Sequence, residues 1–231
     1  MKSPIPLLLP LLFATLHTTL AASGVTTRYW DCCKPSCAWP GKAQVSSPVR
    51  TCNKQDLWPQ PFAPNAPSAC GGGDAYTCSN NAPWAVNDNL AYGFAAAKLA
   101  GKGEWDTCCA CYELTFTSPP LTNKKMVVQV TNTGGDLGTG APNHFDLAIP
   151  GGGVGAFPEG CAKQFDGAWM GNQYGGYTAR DQCYILPAGG FRDACFFRFD
   201  WFRNADNPAV EWREVGCPQA MIDRTGCGRW G

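Results

Sequence analysis

The side chains of this chain that could do chemistry are carboxylates, because the other catalytic types are scarce or committed. Histidine occurs only as His17 and His144. His17 lies in a removable leader, so the rest of the chain cannot build a two-histidine metal site. A serine-hydrolase triad would need His144, yet no Gly-x-Ser-x-Gly elbow is present. Neither standard phosphate-binding glycine loop occurs. The 14 cysteines are even in number and lie after the leader, so they read as disulfides and not as thiol nucleophiles. Zinc is the competing use of Cys108, Cys109 and Cys111, but no second Cys-x-x-Cys knuckle exists to pair with them. No metal and no cofactor are expected.

Three aspartates stand out among the carboxylates. Asp31 sits in TTRYWDCCKPSC, residues 26–37, between Tyr29 and Trp30 on one side and two adjacent cysteines on the other. Taken alone, such an aspartate is more often a helix cap or an ion-pair partner. The nearby rings, with Trp39 and a total of nine tryptophans, shift the balance, because sugar rings stack on aromatic faces. Asp146 alternates with Phe145, Leu147 and Ile149; if those three fill a core, Asp146 points away from it, into a groove or into solvent. Asp136 lies in the glycine-rich run 131–143, which reads as a mobile loop or simply as a turn. Two carboxylates beside an aromatic groove suit glycoside hydrolysis, where one must be protonated and the other ionised. A low-dielectric wall near one of them would separate their pKa values.

Period-two patterning places strands at 111–117, 124–131, 144–149, 195–201 and 209–215. Alanines, a capping Asn87 or Asp88, Lys98 and Gly101 predict a helix over 87–100. Residues 38–82 are rich in Pro, Gly, Asn and Ser and read as loops pinned by Cys52, Cys70 and Cys78. Gly151–Gly153 and Gly175–Gly176 mark tight turns or close backbone approach. The fold class is mainly β, a small barrel with a few helices outside.

Residues 1–21 have a basic start at Lys2, an apolar run and small residues near Ala21 and Ala22, the pattern of a secretory signal cleaved near 21–23. The run is too short and too interrupted for a membrane anchor. Residues 22–231 then form a single catalytic domain, secreted and extracellular. Without Lys2 the chain has seventeen basic against eighteen acidic residues. That near-neutrality argues against nucleic acid and suits a neutral polysaccharide. A monomer is expected, with no membrane partner. No Asn-x-Ser/Thr sequon occurs, so N-glycosylation is not expected.

TTRYWDCCKPSC, CCACYELTFTS at 108–118, NHFDLAIPGGGVG at 143–155 and FRFDWFRNADNP at 197–208 resemble the fungal endoglucanases of glycoside hydrolase family 45. The resemblance covers the whole chain after the leader. It implies a six-stranded double-psi β-barrel with long disulfide-pinned loops along an open groove. It implies endo-acting, inverting hydrolysis of internal β-1,4-glucosidic bonds in cellulose and related β-glucans. Asp31 matches the general base and Asp146 the general acid, groups held roughly 6.5–9.5 Å apart in inverting enzymes. Asp136 matches an assisting aspartate and Tyr29 a tyrosine at the cleavage point. Trp39 and Tyr174 match sugar-stacking aromatics, and Lys34 and His144 lie beside the base and acid.

The resemblance also implies the pairs Cys32–Cys161, Cys33–Cys70, Cys37–Cys108, Cys52–Cys78, Cys109–Cys227, Cys111–Cys217 and Cys183–Cys195. Counting alone leaves on the order of 100,000 pairings open. Two differences from the family pattern are a longer segment before Asp146, through Thr139 to Pro142, and the lack of a linker and carbohydrate-binding module after Cys227. The alternative function is a non-catalytic, expansin-like wall-loosening or glucan-binding protein. Expansins have a similar barrel with an H-F-D motif, but they lack an aspartate equivalent to Asp31 and carry a second β-domain.

Overall fold

The computed structural model describes residues 21–59, 63–134, 137 and 141–230. Its first element is β1 (Ala22–Tyr29), followed by three two-residue strands, β2 (Thr51–Cys52), β3 (Tyr76–Thr77) and β4 (Trp84–Ala85). Then come β5 (Leu90–Lys98), helix α1 (Glu104–Thr107), β6 (Cys111–Phe116), β7 (Lys125–Asn132) and β8 (His144–Ala148). The chain continues through α2 (Glu159–Gln164), α3 (Gly190–Asp200), β9 (Ala209–Val215) and α4 (Gln219–Thr225).

The strands run in the order β5-β7-β6-β9-β1-β8, and a further pairing of β5 with β8 closes the ring into a six-stranded barrel. The pairs β1–β8 and β5–β7 are parallel, and the other four are antiparallel. Closure leaves the barrel strands no free edge. Alternation fills the interior: Leu114, Phe116, Met126, Val128, Val130, Phe145 and Leu147 are buried in one cluster. Tyr112, Phe145 and Trp212 meet there at ring-centre separations of 5.4–5.6 Å. A second cluster lies between the barrel and the outer elements and holds Trp30, Phe94, Tyr177 and Phe191.

Residues 87–100 are not a helix. They contain β5, which pairs with β7 on one side and β8 on the other. The helix-favouring alanines are there because the strand is enclosed on both faces and has no space for larger side chains. Ala91, Ala95 and Ala97 face the barrel core, and Phe94 faces the outer cluster. Asn87 does cap, but it caps a turn: its Oδ1 accepts from the backbone N–H of Asn89 and Leu90.

Residues 195–201 are not a strand. They end α3, whose buried residues Phe191, Ala194, Cys195, Phe197 and Arg198 recur at helical spacing. Phe196 and Phe199 are partly buried as well. Apolar contact on several sides hides the helical period and mimics alternation. Strands β6, β7, β8 and β9 fall where the alternation places them. Seven disulfides join Cys32–Cys161, Cys33–Cys70, Cys37–Cys108, Cys52–Cys78, Cys109–Cys227, Cys111–Cys217 and Cys183–Cys195.

Candidate active site

Strands β1 and β8 run parallel in a register that sets Thr27 opposite Asp146 and Tyr29 opposite Ala148. Thr27 and Tyr29 are two residues apart, so both face the side of the barrel wall that Asp146 faces. The Thr27 hydroxyl donates to Asp146 Oδ1 at 2.6 Å and lies 2.7 Å from His144 Nε2. A hydroxyl has one proton to give, so His144 Nε2–H donates to Thr27 when Thr27 donates to Asp146. The three side chains form a chain ending on the carboxylate. They open onto a groove of about 380 Å³ lined also by Arg28, Tyr29, Leu137, Gly153, Gly155, Gln173 and Tyr174. Tyr174 stands out from the wall, 73% exposed.

Asp31 follows β1 and is 9% exposed. Its Oδ1 accepts from the Cys33 N–H at 2.9 Å, an Asx turn around Cys32. Cys32 has φ of 63°, a left-handed conformation unusual for a residue with a side chain. It is held there by its bond to Cys161 on α2, while Cys33 bonds to Cys70. From behind, α2 presses its backbone on the segment; a Cβ on Gly160 would sit 2.5 Å from the Asp31 carbonyl oxygen. Trp30 fixes the other side, its backbone N–H donating to Gly153 O at 2.7 Å and its ring meeting Phe191 edge-on.

Burial pushes the Asp31 carboxyl up to about 6, against the opposing pull of the Cys33 N–H. The Tyr29 hydroxyl is driven well above its ordinary value by burial and by the charge of Asp31, with a smaller push from Asp146. Tyr29 thus feels both carboxylates. Asn132 at the end of β7 holds it: Nδ2 donates to the Tyr29 hydroxyl at 3.1 Å, while Oδ1 accepts from the Ser36 N–H.

Asp31 and Asp146 border one recess of about 70 Å³, together with Tyr29, Ala96, Asn132, Leu137 and Val154. That volume accommodates ordered water between the two acids. Ala96 on β5 pairs with Asp146, and its methyl leaves the recess open.

Asp136 lies outside the described residues. Its neighbour Leu137 is buried and borders both the groove and the recess. Lys34 and Trp39 border neither. The Lys34 ammonium donates to the carbonyls of Pro64 and Ala66 at 2.6 and 2.9 Å and sits 3.3 Å from the centre of the Trp39 ring. Burial draws its pKa down to about 8. The sequence reading missed Thr27, Asn132 and Ala96. Thr27 had a signal: it is two residues from Tyr29, on the same face of β1, within the stretch that leads to Asp31. Asn132 and Ala96 had none, since only barrel closure brings their strands to the site.

A closed barrel carrying two carboxylates on one recess, beside a groove with an exposed tyrosine, is a geometry suited to hydrolysis by a carboxylate pair. The chain belongs to glycosyl hydrolase family 45, whose sequence pattern matches residues 23–228. It is 56% identical over 211 residues to a Fusarium oxysporum protein assigned as an endoglucanase of type K. That match takes in 90% of this chain and 54% of the relative, so the chain spans about half the length of the Fusarium protein. It is 49% identical over 212 residues to an endoglucanase of Cryptopygus antarcticus, covering 90% of each. The crystal structure of the cellulase from this Antarctic springtail superposes with a TM-score of 0.84 over 91% of this chain and 99% of that one.

Proposed function

We propose that this chain is an endo-β-1,4-glucanase that cleaves internal bonds of cellulose and related β-glucans with inversion at the anomeric carbon. Asp146 is the general acid. It borders the groove, where the Thr27 bond aims its carboxyl at a glycosidic oxygen and stabilises its ionised form once the proton has left. Asp31 is the general base. Burial raises its proton affinity, so its carboxylate takes a proton from water more readily than an exposed aspartate would, and the Cys33 N–H keeps it aimed. Water in the recess attacks the anomeric carbon from the face opposite the leaving group, which gives inversion. Tyr29, between the two acids, stays protonated and lines the cleavage point, and Tyr174 stacks on a sugar ring in the groove. Asp136, in the glycine-rich run before β8, assists the acid. Residues 1–21 are the secretory leader and 22–231 a single catalytic domain acting as a monomer. Seven disulfides support an oxidising, extracellular destination.

The observation that carries this reading is the recess shared by Asp31 and Asp146. Asp31→Asn and Asp146→Asn should each lower hydrolysis of a soluble cellulose derivative by at least about a hundredfold. NMR of the anomer first released from a cello-oligosaccharide by the unaltered protein should show the α form. Wild-type-like rates in either variant, or a β anomer released first, would sink the assignment.

A further inference from the structure

Arg198 on α3 is 1% exposed, and among the described residues no carboxylate lies within ion-pair distance of it. Such a buried charge is tolerable only if its N–H groups are satisfied. They are, largely by backbone. Nη1 donates to Gly151 O, Nη2 to Gly175 O at 2.8 Å, and Nε to Asn204 Oδ1 at 3.1 Å. The two carbonyls belong to different turns, 151–155 and 172–176, which together form one wall of the groove beside Asp146.

These turns meet through bare backbone. Gly151, Gly153, Gly175 and Gly176 all have positive φ, and a Cβ on Gly153 would lie 2.8 Å from Gln173 O and 2.9 Å from Gly175 N. Gly155 N donates to Gln173 O and Tyr177 N to Gly151 O, each at 2.9 Å. One side-chain bond joins them at the exposed edge, where Gln173 Nε2 donates to Gly155 O at 2.9 Å. From the buried side the rigid fork of a guanidinium sets their spacing, because it binds two carbonyls at fixed separation.

We propose that Arg198 is a positioning residue for substrate binding, its fork fixing turns 151–155 and 172–176 and hence the place of Tyr174 in the groove. This rests on the reading of the groove as a glucan site. The burial of a charge here is then explained: it bridges a carbonyl of each turn from the core side, adding to the bonds the turns make directly.

The test is a double-variant cycle. Arg198→Lys keeps the charge but lacks the fork. It should raise KM for cellohexaose about tenfold, the scale of one lost aromatic contact, with kcat within about twofold. Tyr174→Ala should do the same, and the double variant should be no worse than either single one, since coupled residues do not add. Unchanged KM in Arg198→Lys, or losses that multiply in the double variant, overturns the proposal. If Arg198→Lys does not fold, Asn204→Ala removes the Nε acceptor and is taken through the same cycle. Hydrogen exchange at the Gly176 and Tyr177 amides should accelerate in the folded variant, and unchanged exchange also overturns the proposal. That readout needs no catalysis, so an unaltered protein inert on glucan would defeat the functional reading while leaving the role of Arg198 to be decided by exchange.

Discussion

At the scale of the residue, Asp31 sets activity against stability. Its folded pKa of about 6 stands above the ordinary 3.8, so the folded chain keeps a proton that the unfolded chain releases. The stabilisation from holding that proton is fully present below pH 3.8 and is lost as pH rises through about 6. Above that, folding carries the cost of a buried charge, about 3 kcal/mol for a shift of this size. Asp31→Asn keeps the acceptor for the Cys33 N–H and removes the charge. It should therefore melt higher than the parent at pH 7 and show no advantage at pH 3.5, while its hydrolysis stays abolished. Calorimetry at the two pH values checks this; an equal or lower melting temperature at pH 7 would refute the burial cost. If Asp31 is the base as proposed, the parent's own activity should fall as pH drops through about 6, where its carboxylate becomes protonated.

At the scale of the element, the site depends on how strands and α2 close around two short segments. The alternation in 144–149 already turned Asp146 away from Phe145, Leu147 and Ile149, and the structure buries those three and sets Asp146 on the groove. Asp31 was legible as an anomaly of composition, a charge between rings and sulfurs. What local pattern could not supply was β5 and α3. Alanine is a helix former by propensity, yet in β5 it serves as a small strand residue between two layers, and tertiary packing overrode propensity. The phenylalanines of α3 are distributed around the helix because the barrel, the Cys183 turn and the groove wall all press on it. The role of α2 was equally invisible, because it depends on one missing side chain. Gly160→Ala would place a methyl 2.5 Å from both the Asp31 carbonyl and Cys70 Sγ, neither of which can yield freely. It should cost about 1–3 kcal/mol of stability, as overpacking does. Activity should drop more than the melting temperature implies, because the displaced backbone carries Asp31, the proposed base. A variant that melts lower yet keeps the parent kcat at a temperature where both are folded would count against this.

At the scale of the whole molecule, the question is why a chain with a well-filled barrel core also carries seven disulfides. The barrel strands carry Thr27, Tyr29, Asn132 and Asp146, but the site is completed by what lies outside them: the Asp31 segment, α2 behind it, and the turns at 151–177. Those segments have little regular structure, and composition alone would leave them disordered. The bridges supply what packing does not. Cys32–Cys161, Cys109–Cys227 and Cys111–Cys217 close intervals of 129, 118 and 106 residues. For an interval near one hundred residues, loss of unfolded-state entropy is worth about 4.7 kcal/mol per bridge. A whole domain is stable by only about 5–15 kcal/mol, so removing even two or three such bridges should exhaust the margin. The C-terminal segment shows where a bridge and buried polar contacts meet: Gln129 donates to Cys227 O at 2.7 Å and accepts from Thr225 at 2.8 Å, beside the Cys109–Cys227 bond that ties the segment to the barrel. Full reduction under denaturing conditions, followed by removal of denaturant with the thiols blocked, should leave a chain without a cooperative thermal transition and without hydrolysis. Reoxidation of an unblocked sample should restore both. A blocked, reduced chain that still melts cooperatively within a few degrees of the parent would show instead that the barrel core alone holds the fold. The bridges would then serve only to fix Asp31, and loss of activity without loss of the transition would be the sign of it.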